Sequence, residues 1–126
     1  MKRIVPAFLL LLCSIIGRAQ GYSIGISLKP FQSTYIYLGY YYGDKKAIAD
    51  SAKLDALGAG TFTGKTPLAG GIYFVVSPKK EILFEVLIDK NQRFTIKADT
   101  SNIPNGIQFT NSIENTLFKD YTVFAA

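Results

Sequence analysis

The sequence predicts an all-β fold, an antiparallel β-sandwich of about seven or eight strands with a C-terminal α-helix. Three observations carry this expectation. Apolar and polar residues alternate one by one along several segments, which is the period of a half-buried strand. Aromatic side chains are abundant, with eight Tyr and nine Phe in 126 residues, and such side chains suit a pleated surface. Gly, Pro, Asn and Asp punctuate the segments at short intervals, as turns between strands do.

Each element can be placed in order. Tyr22, Ile24, Ile26 and Leu28 point one way, and Ser23, Gly25, Ser27 and Lys29 the other. Pro30 ends this strand because it has no N–H for a ladder. Thr34 to Tyr42 forms a second strand, and Gly43-Asp44-Lys45-Lys46 reads as a turn. Ile48 to Leu57 fits either a strand or a short helix. A strand is preferred, since Gly58-Ala59-Gly60 reads as a hairpin turn into Thr61-Phe62-Thr63. Ile72 to Val76 is a strand stopped by Ser77-Pro78. Ile82 to Asp89 and Arg93 to Ala98 read as a hairpin around Lys90-Asn91-Gln92. That register sets Ile88 against Phe94, Val86 against Ile96, Asp89 against Arg93 and Glu85 against Lys97. Ile107 to Thr110 is a last short strand. The expected core is Ile24, Ile26, Ile36, Leu38, Phe74, Val76, Phe84, Val86, Ile88, Phe94, Ile96 and Phe109.

After Asn111 the period changes. Asn111 or Ser112 can cap a helix, with Glu114 near its positive end. Ile113, Leu117, Phe118, Tyr121 and Phe124 then recur at helical spacing. The stripe is still running at Ala126. Two readings stand: the start of a linker helix in a longer architecture, or a terminal helix packed on the sheet.

The N-terminus reads as a secretory signal peptide over residues 1–19. Lys2 and Arg3 precede an apolar run from Ala7 to Ile16, and Gly17-Arg18-Ala19 is a small-residue cleavage site. The run is shorter than the ~20 residues that span a bilayer, which disfavours a retained anchor. Cleavage after Ala19 leaves a single sandwich domain, 20–111, followed by helix residues 112–126. Lipidation of Cys13 is disfavoured, because Leu12 rather than a small residue precedes it. The expected location is the periplasm or outer envelope, with no membrane span after cleavage.

Processing also changes the charge. The full chain carries 14 basic and 9 acidic residues, a net of +5. Without Lys2, Arg3 and Arg18 the balance is 11 against 9, a net of +2. The lysines are dispersed, so no nucleic-acid footprint remains.

Composition restricts the chemistry. There is no histidine, and the one cysteine lies in the signal. Imidazole-based acid–base catalysis, thiolate chemistry and the usual serine-hydrolase base are therefore missing. Glu81, Glu85 and Asp89 share a strand face at spacings of four. They read as solvent-facing charges in preference to a calcium or glycosidase cluster. Gly58-Ala59-Gly60 and Gly70-Gly71 match no phosphate-binding pattern. No catalytic residue, metal or cofactor is expected, so the domain reads as non-enzymatic. The candidate ligand face is Tyr35, Tyr37 and Tyr41, which alternation places together, with Tyr40 and Tyr42 opposite. They form either a stacking platform for sugar or peptide or ordinary strand covering. The second reading is preferred.

The segments Gly39 to Lys46, Ala49 to Lys53 and Gly71 to Lys80, with Phe84 to Phe94, Lys97 to Thr100, Phe109 to Ser112 and Asn115 to Phe118, point to a family. Over the whole mature chain the sequence resembles the N-terminal β-sandwich domain, of unknown function, in Bacteroidota thioredoxin-like thiol–disulfide interchange proteins. In those proteins a thioredoxin domain with a Cys-x-x-Cys pair follows. This chain holds no such pair, so no catalytic position carries over. The resemblance implies an accessory domain that positions a redox domain or its client, with a thioredoxin-like domain or an envelope protein as partner.

Overall fold

The structure, a computed structural model, describes residues 21–103 and 105–125, with side chains through 120. The expected signal peptide and Cys13, and the side chains of Tyr121 and Phe124, lie outside the described residues. Eight strands form two four-stranded sheets, and one helix follows. The strands are β1 (Tyr22–Lys29), β2 (Tyr35–Tyr42), β3 (Lys45–Lys53), β4 (Ala59–Gly64), β5 (Gly71–Val76), β6 (Ile82–Ile88), β7 (Arg93–Asp99) and β8 (Ile107–Thr110), and the helix is α1 (Ile113–Ala125). One sheet has the order β4-β1-β7-β8 and the other β3-β2-β5-β6. Five of the six pairings are antiparallel; β1 and β7 run parallel. The expected all-β sandwich with a C-terminal helix is therefore present.

The core lies between the sheets, where alternation puts it. Ile24, Ile26 and Leu28 of β1 meet Ile36 and Leu38 of β2, Val86 and Ile88 of β6, and Phe94 and Ile96 of β7. Phe62 of β4 joins this cluster and is fully buried. Full burial of such a side chain contributes about 1.5–3 kcal/mol by transfer from water. Phe109, expected in the core, is half-buried and packs against it, with its ring 6.4 Å from that of Phe94.

Several turns differ from the sequence expectation. Gly43 and Asp44 alone make the β2–β3 turn, since Lys45 and Lys46 already pair with Tyr42 and Tyr41. The segment Asp55 to Gly58 carries the chain from β3 in one sheet to β4 in the other; it closes no hairpin. The Asp55 carboxylate accepts the N–H groups of Leu57 and Ala59. These bonds favour the charged form and hold the carboxyl below its ordinary range. Gly58 sits at φ +83°, and a Cβ there would come within 2.8 Å of the Phe31 carbonyl, so only glycine fits the turn.

The expected β6–β7 hairpin does not form. β6 pairs only with β5, and β7 lies between β1 and β8. Glu85 is opposite Phe74, and Lys97 is flanked by Ser27 and Gln108. The apolar faces were assigned correctly, but they meet across the core and not side by side. Matching alternation cannot separate these cases. The corner residues do. Gln92 Nε2 donates to the carbonyls of Asp89 and Leu68, and its Oε1 accepts the Leu68 N–H. The Gln92 carbonyl accepts Ser23 N–H at 2.9 Å, which starts the parallel pairing with β1.

Helix α1 starts at a Ser112 cap, whose Oγ accepts the Asn115 N–H at 3.3 Å. Asn115 is fully buried. Its Oδ1 accepts the Leu87 N–H and its Nδ2 donates to the Leu87 carbonyl, each at 2.7 Å. It thus supplies the free edge of β6 with what a neighbouring strand would supply. Lys119 Nζ donates to the Ile107 carbonyl of β8 at 2.8 Å. Of the expected apolar stripe, Ile113 and Leu117 are exposed and Phe118 is half-buried towards Phe84, Ile107 and Phe109, while Asn115 is the fully buried position. Among the described residues no helix is long and apolar enough to cross a membrane.

Two side chains join the layers, and each yields a test. Asn115→Ala leaves both Leu87 backbone groups without partners, so urea denaturation should show a loss of about 1–3 kcal/mol. On the opposite side Tyr22 Oη of β1 donates to Asp50 Oδ2 of β3 at 2.8 Å. Burial, then Asp50, pushes the Tyr22 phenol up to about 12 from 10.0. The fold therefore favours the neutral phenol. That stabilisation is complete below pH 10 and fades as pH rises towards 12. In Tyr22→Phe the unfolding midpoint should lose less than the parent does across that window.

Candidate functional site

The two sheets present different faces to solvent. In β4-β1-β7-β8 the outward rows include Ser23 beside Thr63 and Arg93, and Gly25 beside Thr61 and Thr95. This is the polar outer surface expected of a sheet with one wet face. In β3-β2-β5-β6 the outward rows are mostly apolar, with Glu85 opposite Phe74 at the β6 edge. Tyr37 lies between Ser51 and Val76, Gly39 between Ile48 and Phe74, and Ile72 beside Leu87. Large side chains stand open on this face: Tyr35 is 50% exposed, Tyr41 53%, Ile48 49% and Ile72 48%.

The sequence of β5, Ile-Tyr-Phe-Val-Val, explains the difference. Tyr73 and Val75 enter the core, while Phe74 and Val76 point outward. Both outward residues were expected in the core. They are nearly buried, but on the far side of the sheet, by their own neighbours. The Phe74 ring lies over Gly39, where a Cβ would meet it at 3.1 Å. The Tyr41 ring leans on it, 5.0 Å away at 48°, within the range of favourable aromatic pairs.

The three tyrosines singled out by alternation do share this face, though not equally. Tyr35 and Tyr41 are open. Tyr37 is half-buried beneath Lys80, whose Nζ is 4.3 Å from the ring centroid, a cation–π distance. Tyr40, on the inward side, packs near Tyr73 at 6.0 Å. Lys46 sits opposite Tyr41, and Lys53 opposite Tyr35. The site is thus an aromatic and aliphatic plate edged by Lys46, Lys53 and Lys80. A cleft of about 170 Å³ runs between Ile48, Phe74, Val76, Lys80 and Ile82.

Sequence reasoning missed the aliphatic half: Ile48, Ile72, Ile82 and Leu87. Its signal was present as an uninterrupted apolar run in β5, which marks a strand covered on both faces. The expected charge pairs Asp89–Arg93 and Glu85–Lys97 rested on the hairpin register and go with it. Among the described residues no group of three or more His, Cys, Asp or Glu side chains is placed to hold a metal. A second cleft, of about 270 Å³, lies under α1 between Phe84, Ile107, Phe109 and Phe118.

A family model described as a domain of unknown function (DUF4369) matches residues 22–118. The chain belongs to this family. The match takes in every strand and the start of α1, so the DUF4369 domain is the sandwich described above. Comparison with curated proteins and with solved structures finds no match.

An exposed apolar plate should reveal itself to a hydrophobic dye. Anilinonaphthalene sulfonate fluorescence should rise with this DUF4369 domain and fall severalfold in a Tyr41→Ser/Ile72→Ser variant. Because each side chain is half covered and the Tyr41 ring also contacts Phe74, the unfolding free energy should fall by about 1 kcal/mol for each substitution, which leaves the domain folded.

Proposed function

We propose that this domain is a non-catalytic accessory module of an exported thioredoxin-like thiol–disulfide interchange protein. It holds the redox domain or its client on the outer face of β3-β2-β5-β6. The observation that carries the reading is the apolar outer face, on a protein whose other sheet is polar outside. Contiguous exposed apolar area of this kind marks interaction surfaces. The resemblance of the chain to the front domain of those proteins supports the thiol–disulfide setting. The absence of histidine from the sequence supports a role in holding and not in reacting.

The half-open rings of Tyr35 and Tyr41 favour a second reading, a free-standing envelope module for glycan or peptide. Aliphatic side chains outweigh open rings on this face, and sugars stack on rings. A protein surface is therefore the better fit.

In-cell photo-crosslinking tests the reading. A photoreactive phenylalanine analogue at Tyr41 should capture a protein identified by mass spectrometry as carrying a Cys-x-x-Cys pair. The same analogue at Thr61, on the polar sheet, should capture little of it. Equal capture at both positions, or capture at Tyr41 only of proteins without such a pair, would overturn the proposal.

A further inference from the structure

We infer that the outer face of β3-β2-β5-β6 takes a protein partner whose contact surface is apolar at its centre and acidic at its margin, and that it does not pair with a second copy of this chain. The inference rests on the reading of this face as a docking surface and adds the chemistry of what docks there.

Charge makes the choice. Lys46, Lys53 and Lys80 edge the face, and among the described residues Glu85 is the acidic side chain in its rows. Two copies meeting with their β3 edges together would bring Lys46 and Lys53 against the same lysines, and with β3 over β6 they would leave Glu85 to answer both of them. Like charges facing each other as water leaves cost several kcal/mol and reject the wrong partner. An acidic margin instead gives each ammonium a counter-charge while the apolar centres close.

One lysine of the rim, Lys80, is held in place. Ser77, nearly buried, organises the β5–β6 turn: its Oγ accepts the N–H groups of Lys79 and Glu81, and its carbonyl accepts that of Lys80. This sets Lys80 at φ 70° and turns its side chain back over Tyr37 at 4.3 Å. Strand register places the backbones of Lys46 and Lys53 opposite Tyr41 and Tyr35, with both side chains exposed. A pre-placed cation loses less freedom on binding than a mobile one. The margin therefore selects a partner by sign, and the plate supplies the contact area.

Two synthetic peptides with alternating leucines serve as probes, one with glutamate and one with lysine between the leucines. They are titrated into the isotope-labelled protein and followed by amide chemical shifts. The glutamate–leucine peptide should shift Tyr37, Tyr41, Ile48 and Phe74 saturably. Its affinity should fall roughly tenfold in Lys46→Glu/Lys80→Glu, and also between about 50 mM and 500 mM salt. Lys53→Glu alone gives a milder surface change and should weaken binding in the same direction. The lysine–leucine peptide should not saturate. Equal binding of both peptides overturns the acidic margin while leaving the docking face standing. No shift on this face with either peptide overturns both. Sedimentation showing a dimer that Tyr41→Glu abolishes also overturns the inference, because a second copy then occupies the face.

Discussion

The corner between β6 and β7 sets the architecture. Within a few residues the chain leaves one sheet and enters the other, pinned by Gln92 to the Leu68 backbone. A strand has two edges, and those of β7 are taken by β1 and β8. β6 therefore meets β7 across the core, face to face. The parallel β1–β7 pairing follows from the same corner, since the Gln92 carbonyl receives the Ser23 N–H at the start of β1. So does the site of the helix. With β6 and β8 both left as edges on one side, α1 lies along them and Asn115 satisfies the exposed backbone of β6.

The opposite side is closed by the same kind of device. β3 and β4 are the edges there. The register of β3 shifts between Asp50 and Ile48, and such a shift re-aims side chains along a strand. Asp50 is left on the inward side opposite Leu38, while Ile48 stays outward beside Gly39. Asp50 Oδ2 then receives both the Tyr22 hydroxyl of β1 and the Thr63 N–H of β4. Each open flank thus depends on one polar side chain that supplies what the backbone lacks. Such satisfaction is what lets a polar group sit at the border of an apolar core without a large desolvation cost.

The alternation of β1, β6 and β7 was plain in the sequence because it depends only on which residues avoid water. The strand limits at Pro30 and Ser77-Pro78, the final strand at Ile107 and the Ser112 cap were legible for a similar reason: each rests on local chemistry. Pairing was not legible. Phe84, Val86 and Ile88 bury the same area whether Phe94 and Ile96 lie beside them or across from them. The outer plate was half legible. Alternation brought Tyr35, Tyr37 and Tyr41 together, yet Phe74 and Val76 looked like core, since an apolar run does not say which side of a sheet is the inside. In α1 the apolar stripe at Ile113 and Leu117 misled, because the fully buried position is a polar Asn chosen for its hydrogen bonds to Leu87.

The shape of the plate argues for what it meets. Gly39 lets the Phe74 ring lie flat, and any side chain at that position would crowd the ring at about its 3.1 Å approach. Tyr41 then leans on Phe74 instead of standing free. The result is broad and shallow, and its cleft of about 170 Å³ is smaller than the ~300 Å³ at which small-molecule sites begin. A flat apolar surface gains little from a small ligand, which would stay half in water. It gains most from another flat surface that excludes water over many side chains at once. An open sheet face of this composition also invites unwanted association, and the lysines at its edge oppose that by keeping like surfaces apart. Flatness, apolarity and a rim in which lysines outnumber the one acidic side chain of these rows, Glu85, are thus parts of one arrangement, in which the centre supplies attraction and the margin favours an acidic surface.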